Sequence, residues 1–407
     1  MRNEADLIMD RCEQLATISS QPDRLERVHL SPEHKAVNAL VAEWMTEAGL
    51  STWQDAAGNQ CGRREGREPG LPALLIGSHI DTVPDAGRYD GMLGVLLAIQ
   101  VAARLRDAEL PFALEVVAFS DEEGTRFGMA LLGSRALSGT WNDQWWRLAD
   151  KDGITLAEAF QDFGLDPARL PGAFRRPENY IGYLETHIEQ GPILEDHDRR
   201  LAVVTSIAGA RRYAITITGK AGHAGGTPYD RRKDALVGAS ELVVEIERIS
   251  KQRGVIGTVG RLQAFPGGVN VIPGVVELSL DLRAEFDHDR DEALAEIWSS
   301  ADEICGRRGL TVTKRELYRA DAVPCDPRLM RAVGAGIRST GDAEPMAFWS
   351  RAGHDGMAVV NLTPIAMLFL RCRGGVSHHP DEAVKKADVS AALDAFEAAV
   401  LAVAADD

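Results

Sequence analysis

The chain lacks the marks of several large protein classes. No run approaches the ~18 consecutive apolar residues of a membrane-spanning helix, so no membrane span is expected. The first six residues, Met-Arg-Asn-Glu-Ala-Asp, are polar and acidic and carry no secretory apolar core, which points to a cytoplasmic protein. Cysteine is scarce. Cys12, Cys61, Cys305, Cys325 and Cys372 are odd in number and form no Cys-x-x-Cys pair, which suits buried reduced thiols and not a disulfide frame. Basic residues are outnumbered, 45 Lys and Arg against 61 Asp and Glu, and a net charge of −16 excludes a nucleic-acid partner, whose phosphates need a basic face. Gly219-Lys220 is followed by Ala221, so the one approach to a phosphate loop fails. The Gly-x-Ser-x-Gly elbow of serine hydrolases is also missing. Internal repeats and low-complexity tracts are absent.

What is present is an alternation of apolar strands and helices in a chain of 407 residues, long enough for two domains. Ala73–Gly77 and Leu114–Phe119 read as buried strands and Met92–Leu105 as a helix, the rhythm of a mainly parallel sheet with helices on both faces. From about residue 210 the pattern changes. Strands are expected over 212–218, 255–262, 275–283 and 310–317. Helices are expected from Thr227-Pro228, a capping residue followed by a first-turn proline, to Gly254, and over 289–305. The order βαββαβ is that of a ferredoxin-like unit. The reading is therefore a discontinuous α/β catalytic domain, 1–209 and 323–407, interrupted by a lid or dimerisation domain, 210–322. Trp141, Trp145 and Trp146 are expected to serve packing.

Histidines and carboxylates gather after the predicted strands. His79-Ile80-Asp81 follows the first, with Asp90-Gly91 eleven residues beyond His79. Asp121-Glu122-Glu123 follows the second; His187 and Ser377-His378-His379 come later. Imidazole and carboxylate together are ligands for divalent transition metals, and there are enough here for two ions. In parallel sheets, ligands sit beyond the carboxyl ends of strands, where these motifs fall. Each has a plainer reading by itself: His79 and Asp81 as loop groups, Asp90 as a cap for the Met92 helix, and Glu122 and Glu123 as solvated acids. As a metal site, Asp81 would orient the His79 ring and Asp90 would bridge two ions. In an extended segment Glu122 and Glu123 point to opposite sides, one to a metal and one to a water as general base. Spacing alone does not choose between His378 and His379.

Together the motifs resemble the dinuclear metallopeptidases of the M20 clan, and within it the hydantoinase/carbamoylase branch. That branch includes N-carbamoyl-L-amino-acid amidohydrolases, β-ureidopropionases and allantoate amidohydrolases. The segments that carry the likeness are Gly77–Val83, Glu122–Phe127, Gly133–Ala136, His187–Pro192, Gly222–Pro228, Asn270–Gly274, Asp281-Leu282-Arg283, Gly353-His354-Asp355 and Gly374–Pro380. The resemblance implies His79, Asp90, Glu123, His187 and His378 as ligands of two divalent ions, zinc or manganese, with cobalt or nickel also suited. It implies Asp90 as the bridge, Glu122 as general base and Asp81 as orienter. It further implies that lid residue His223 polarises the scissile carbonyl across a homodimer. Gln190, Asn270, Arg283 and His354 would hold a small carboxylate substrate with a ureido group. Arg371–Gly375 and Ala320–Val323 look like the allantoate enzymes, Gly267–Asn270 as much like the carbamoyl-amino-acid enzymes. Two departures stand out: Arg351 in Ser350-Arg351-Ala352-Gly353, and Ala86 where glycine is common.

Overall fold

The computed structural model describes residues 4–406, and these divide into two compact units. The first runs to Thr205 and resumes over Cys325–Phe348 and from Ala352 onward; the second comprises Ser206–Pro324 with Trp349–Arg351.

The first unit is a mixed α/β structure with a mainly parallel centre. From one edge its strands run Ser51–Gln54, Gln60–Arg64, Ala113–Phe119, Ala73–His79, Tyr180–Ile188, Ile365–Leu370 and Leu201–Ile207. The four from Ala113–Phe119 to Ile365–Leu370 are mutually parallel, and the flanking strands are antiparallel to them. Ala73–His79 and Ala113–Phe119 are buried throughout, which explains why neither alternates apolar with exposed polar residues: strands covered on both faces show no alternation. In register, His79 lies beside Phe119 and His187 beside Phe369. The parallel strands therefore finish on one edge, and the loops that leave them start from a common line.

Helix Met92–Arg104 packs on strands Ala73–His79 and Tyr180–Ile188 and is buried from Met92 to Ala102. Gly91 (φ +68°) occupies its capping position with no side-chain cap, so the carboxylate of Asp90 is not spent on the helix. Gly94 permits the close approach: a Cβ there would stand 2.2 Å from the Thr186 carbonyl oxygen and 2.8 Å from Ser78 Cβ. Trp141 and Trp146 lie against each other (ring centroids 4.8 Å apart) and Trp146 against Phe160 (4.9 Å), in a side core built around helix Leu156–Phe163.

The second unit runs strand Gly209–Thr218, helix Ala235–Arg253, strands Ile256–Thr258, Leu262–Phe265 and Val275–Ala284, helix Asp287–Arg308 and strand Thr311–Ala320. Its sheet order is Leu262–Phe265, Val275–Ala284, Gly209–Thr218, Thr311–Ala320, antiparallel throughout, with Ile256–Thr258 also on Val275–Ala284. Val275–Ala284 alternates partly buried with buried residues, and Leu278, Leu280, Ile217, Leu242, Ile246 and Ile297 share one core.

Two local expectations fail. The helix expected from Thr227-Pro228 starts at Ala235: Pro228 leads only into a single 3-10 turn, Tyr229–Arg231, and Lys220 N then donates to the Lys233 carbonyl (2.8 Å), which holds Lys233 in a bridge outside the helix. Asp234 then caps the helix through Leu236 N (3.0 Å) and Val237 N (3.3 Å). The strand expected over 255–262 is two strands. Between the pairs Thr258↔Asp281 and Leu262↔Leu278, residues 259–261 face only 279 and 280, so one extra residue bulges and breaks the ladder.

Gly94→Ala tests the helix–sheet contact. Overpacking there should cost about 1–3 kcal/mol, read as a lower urea midpoint; an unchanged midpoint would contradict the contact.

Candidate metal centre

Asp90 is buried and meets three imidazoles. His79 Nε2 and His187 Nε2 lie 3.4 and 3.2 Å from its Oδ1, and His378 Nε2 lies 3.2 Å from its Oδ2. His79 turns Nδ1 to the Asp81 carbonyl (3.1 Å) and His187 turns Nδ1 to the Ile188 carbonyl (2.9 Å). A neutral ring that donates from Nδ1 presents a lone pair at Nε2, the tautomer of a metal ligand. Two triads follow, His79–Asp90–His187 and Asp90–Glu123–His378, each with its donor atoms within 4.8 Å and each using Asp90. His378 Nε2 is also 3.4 Å from Glu123 Oε1. His379, the rival ligand, is turned away: its Nδ1 accepts from Asp381 N at 3.2 Å.

Glu122 and Glu123 depart from expectation. They occupy a bend, not an extended segment, and both carboxylates gather with the His79 ring. The cause is Asp81, whose Oδ1 accepts from Glu122 N (2.9 Å) and Oδ2 from Glu123 N (3.1 Å). Asp81 Oδ1 lies 3.4 Å from His79 Nδ1, so this one carboxylate faces the ring and folds the acidic turn.

The electrostatics show what the cluster is short of. Burial opposes charge on His79, yet hydrogen bonds from its ring to the Asp81 and Asp90 carboxylates hold its pKa well above the usual value. The bond to Asp90 pushes His378 up to about 9. Burial also works against ionised Asp90, but His187, His378 and His79 hold it well below the carboxylate range. Burial, then Asp90, pushes Glu123 up to about 7. Burial, then Glu123, raises Glu122 well above its ordinary value. Protons thus supply the positive charge that the donor set demands. Nitrogen and carboxylate oxygen in this density suit divalent ions, which would take the protons' place.

The remaining predicted residues divide between the units. In the first, Gln190 places Nε2 2.9 Å from Asp90 Oδ2 and 3.3 Å from His378 Nε2. Gln190 (φ +56°) and His378 (φ +55°) both adopt the left-handed backbone, a strain of about 1–3 kcal/mol each that clusters at functional sites. His354 is buried edge-on to His187, centroids 4.6 Å apart. In the second unit, exposed His223 accepts at Nδ1 from Gly225 N (3.2 Å) and Gly226 N (3.0 Å), which leaves the neutral ring's hydrogen on Nε2. A two-stranded ribbon pairs His223 with Val271, and Ala224 N donates to the Asn270 carbonyl (2.9 Å), so His223 and Asn270 come together. Arg283 donates from Nε and Nη2 to Asp281 (2.9 and 3.1 Å) and from Nη1 to the Arg351 carbonyl (2.8 Å). Arg351 thus contributes its backbone, and its guanidinium lies over Trp349 at 5.7 Å.

Sequence reasoning missed Asp281, Ser377 and Glu382. Asp281 is bound by Arg283 and by Arg212 Nε (2.9 Å). Ser377 Oγ lies 2.9 Å from both Asp90 Oδ2 and Glu382 Oε2. For Asp281 and Ser377 the one available signal was membership in the Asp-Leu-Arg and Gly-Gly-Val-Ser-His-His segments; Glu382 lies outside both.

Fold and cluster define a known class. Residues 75–402 match the model of peptidase family M20/M25/M40, and the chain belongs to that family, as its motifs implied. It is 39% identical over 391 residues to an N-carbamoyl-L-amino acid amidohydrolase of Geobacillus stearothermophilus, covering 95% of each chain. It is also 39% identical over 425 residues to an allantoate deiminase of Arabidopsis thaliana, covering 96% of this chain and 80% of that one. An amidase of the hydantoinase/carbamoylase family from Burkholderia multivorans has the same fold, with a TM-score of 0.90 at 32% identity over 98% of this chain and 97% of its own.

Manganese or zinc added to metal-free protein at pH 7 should release protons. His378, with its pKa about 9, and Glu123, about 7, are wholly and partly protonated there, and ligands bind without their protons. Titration calorimetry in buffers of different ionisation enthalpy should give at least one proton per chain; proton-neutral uptake would contradict the cluster.

Proposed function

We propose that the protein is a metal-dependent amidohydrolase that cleaves the carbamoyl (ureido) group of a small carboxylate, releasing ammonia and carbon dioxide, with allantoate as its substrate. One observation carries the metal-dependent hydrolysis: two triads built on the two oxygens of Asp90; the choice of allantoate rests on the Arg371–Gly375 and Ala320–Val323 segments. Two divalent ions bound there supply Lewis acidity and lower the pKa of a water. Zinc or manganese suits the donors, as do cobalt and nickel.

The chain's own groups do the rest. Glu122 takes the proton of the attacking water on its carboxylate and delivers it to the leaving nitrogen; burial and Glu123 favour its protonated form, which supports proton holding. His223 donates from Nε2 to the carbonyl oxygen as negative charge develops; its Nδ1, occupied by two backbone N–H groups, fixes that tautomer. Arg283 has three of its five N–H groups committed, leaving one on each terminal nitrogen, as a two-pronged carboxylate contact requires. Asn270, beside His223, and Gln190 and His354, beside the triads, are assigned to substrate. The βαββαβ succession and strand order support a ferredoxin-like fold for the second unit, which we assign as the lid and dimerisation module of a homodimer. No helix among the described residues is long and apolar enough to cross a membrane.

N-carbamoyl-L-amino acids are the second reading, since the 39% identity to the Geobacillus enzyme equals that to the Arabidopsis allantoate deiminase. Ammonia release from allantoate and from N-carbamoyl-L-amino acids, with manganese or zinc supplied, separates the two; no turnover of allantoate moves the assignment to the second. Glu122→Gln should lower kcat by about 100- to 10,000-fold at full metal content. Retained turnover would remove Glu122 from its role.

A further inference from the structure

Glu382 is 2% exposed, and both its oxygens are taken. Oε1 accepts from Tyr89 N (2.8 Å) and Asp90 N (3.1 Å), and Oε2 lies 2.9 Å from Ser377 Oγ. One buried carboxylate thus ties the loop that carries Asp90 to the loop that carries His378. The Asp90 loop closes tightly around it: a Cβ on Gly87 would stand 2.2 Å from Glu382 Cδ and 2.3 Å from Oε1. The Ser377 hydroxyl, 2.9 Å from Asp90 Oδ2, extends the tie to the oxygen that faces His378.

The two triads depend on this tie unequally. His79 and His187 stand in buried strands, so the sheet itself sets their side of Asp90. His378 stands on a loop, with its side chain 49% exposed and its backbone at φ +55°. We propose that Glu382 is a positioning residue for the second ion. It holds the Asp90 peptide against the Ser377–His378 turn, so that Asp90 Oδ2, Glu123 and His378 form one triad. Glu382 binds no ion itself. The proposal rests on the paired-ion reading given above.

The test is manganese binding to the full chain, by titration calorimetry and metal analysis. Wild type should bind two ions. Glu382→Ala should keep the first and lose affinity for the second by at least about tenfold, the usual cost of removing a group that orients a ligand. Gly87→Ala should do the same without altering any polar group, since its methyl displaces the carboxylate. Glu382→Gln should recover much of the loss, because its amide oxygen still accepts both N–H groups. Second-ion affinity unchanged in both Glu382→Ala and Gly87→Ala, or equal loss of both ions, overturns the proposal. Should Glu382→Ala not fold, Ser377→Ala at its partly exposed site decides: a weakened second ion supports the tie, and wild-type binding overturns it. A wild-type chain that takes up fewer than two ions overturns the paired-ion reading, and this proposal with it.

Discussion

Asp90 is a buried carboxylate whose two oxygens serve different partners, one facing two histidines from the sheet and the other a histidine from a loop. A buried charge is costly unless it is paired and hydrogen-bonded. Much of the first unit can be read as the means of pairing this one. The parallel strands deliver His79 and His187 to a common edge, and Gly91 leaves room for the ring: a Cβ there would stand 2.4 Å from His79 Nε2. Glu382, Ser377 and Gln190 bring the loop side.

The same constraint accounts for the charges packed behind it. Asp81, Asp121 and Asp355 are all buried, and burial together with neighbouring acids raises Asp121 and Asp355 well above their ordinary values. Arg27 is fully buried, feels the charge of Asp81, and donates to carbonyls: Nε to Ile80 (2.9 Å), and Nη1 to Leu15 and Ile18 (2.9 Å each). The Ile80 carbonyl lies between His79 and Asp81, so a cation props the turn that presents both. Proximity of like charges costs stability, and it leaves the site electrostatically complete only with added positive charge.

The metal candidates are legible in the sequence because their chemistry lies in residue type and their place in strand ends. Both signals are local. The α/β rhythm and the βαββαβ succession are legible for the same reason. Glu382 is not, because a carboxylate that accepts backbone N–H groups from a loop almost 300 residues away carries no sequence mark. Asp81 is half legible: its nearness to His79 is visible, but its bonds to Glu122 N and Glu123 N are tertiary, and they turn the two glutamates to one side. Thr227-Pro228 is a sound local helix signal that loses to the Lys220–Lys233 bridge, a contact no local pattern announces.

Electron paramagnetic resonance of the manganese-loaded protein tests the central claim most directly, because a carboxylate shared by two ions couples their spins. The account predicts the signal of an exchange-coupled pair in wild type and its loss in Asp90→Asn. The spectrum of isolated manganese ions in fully loaded wild type would contradict it.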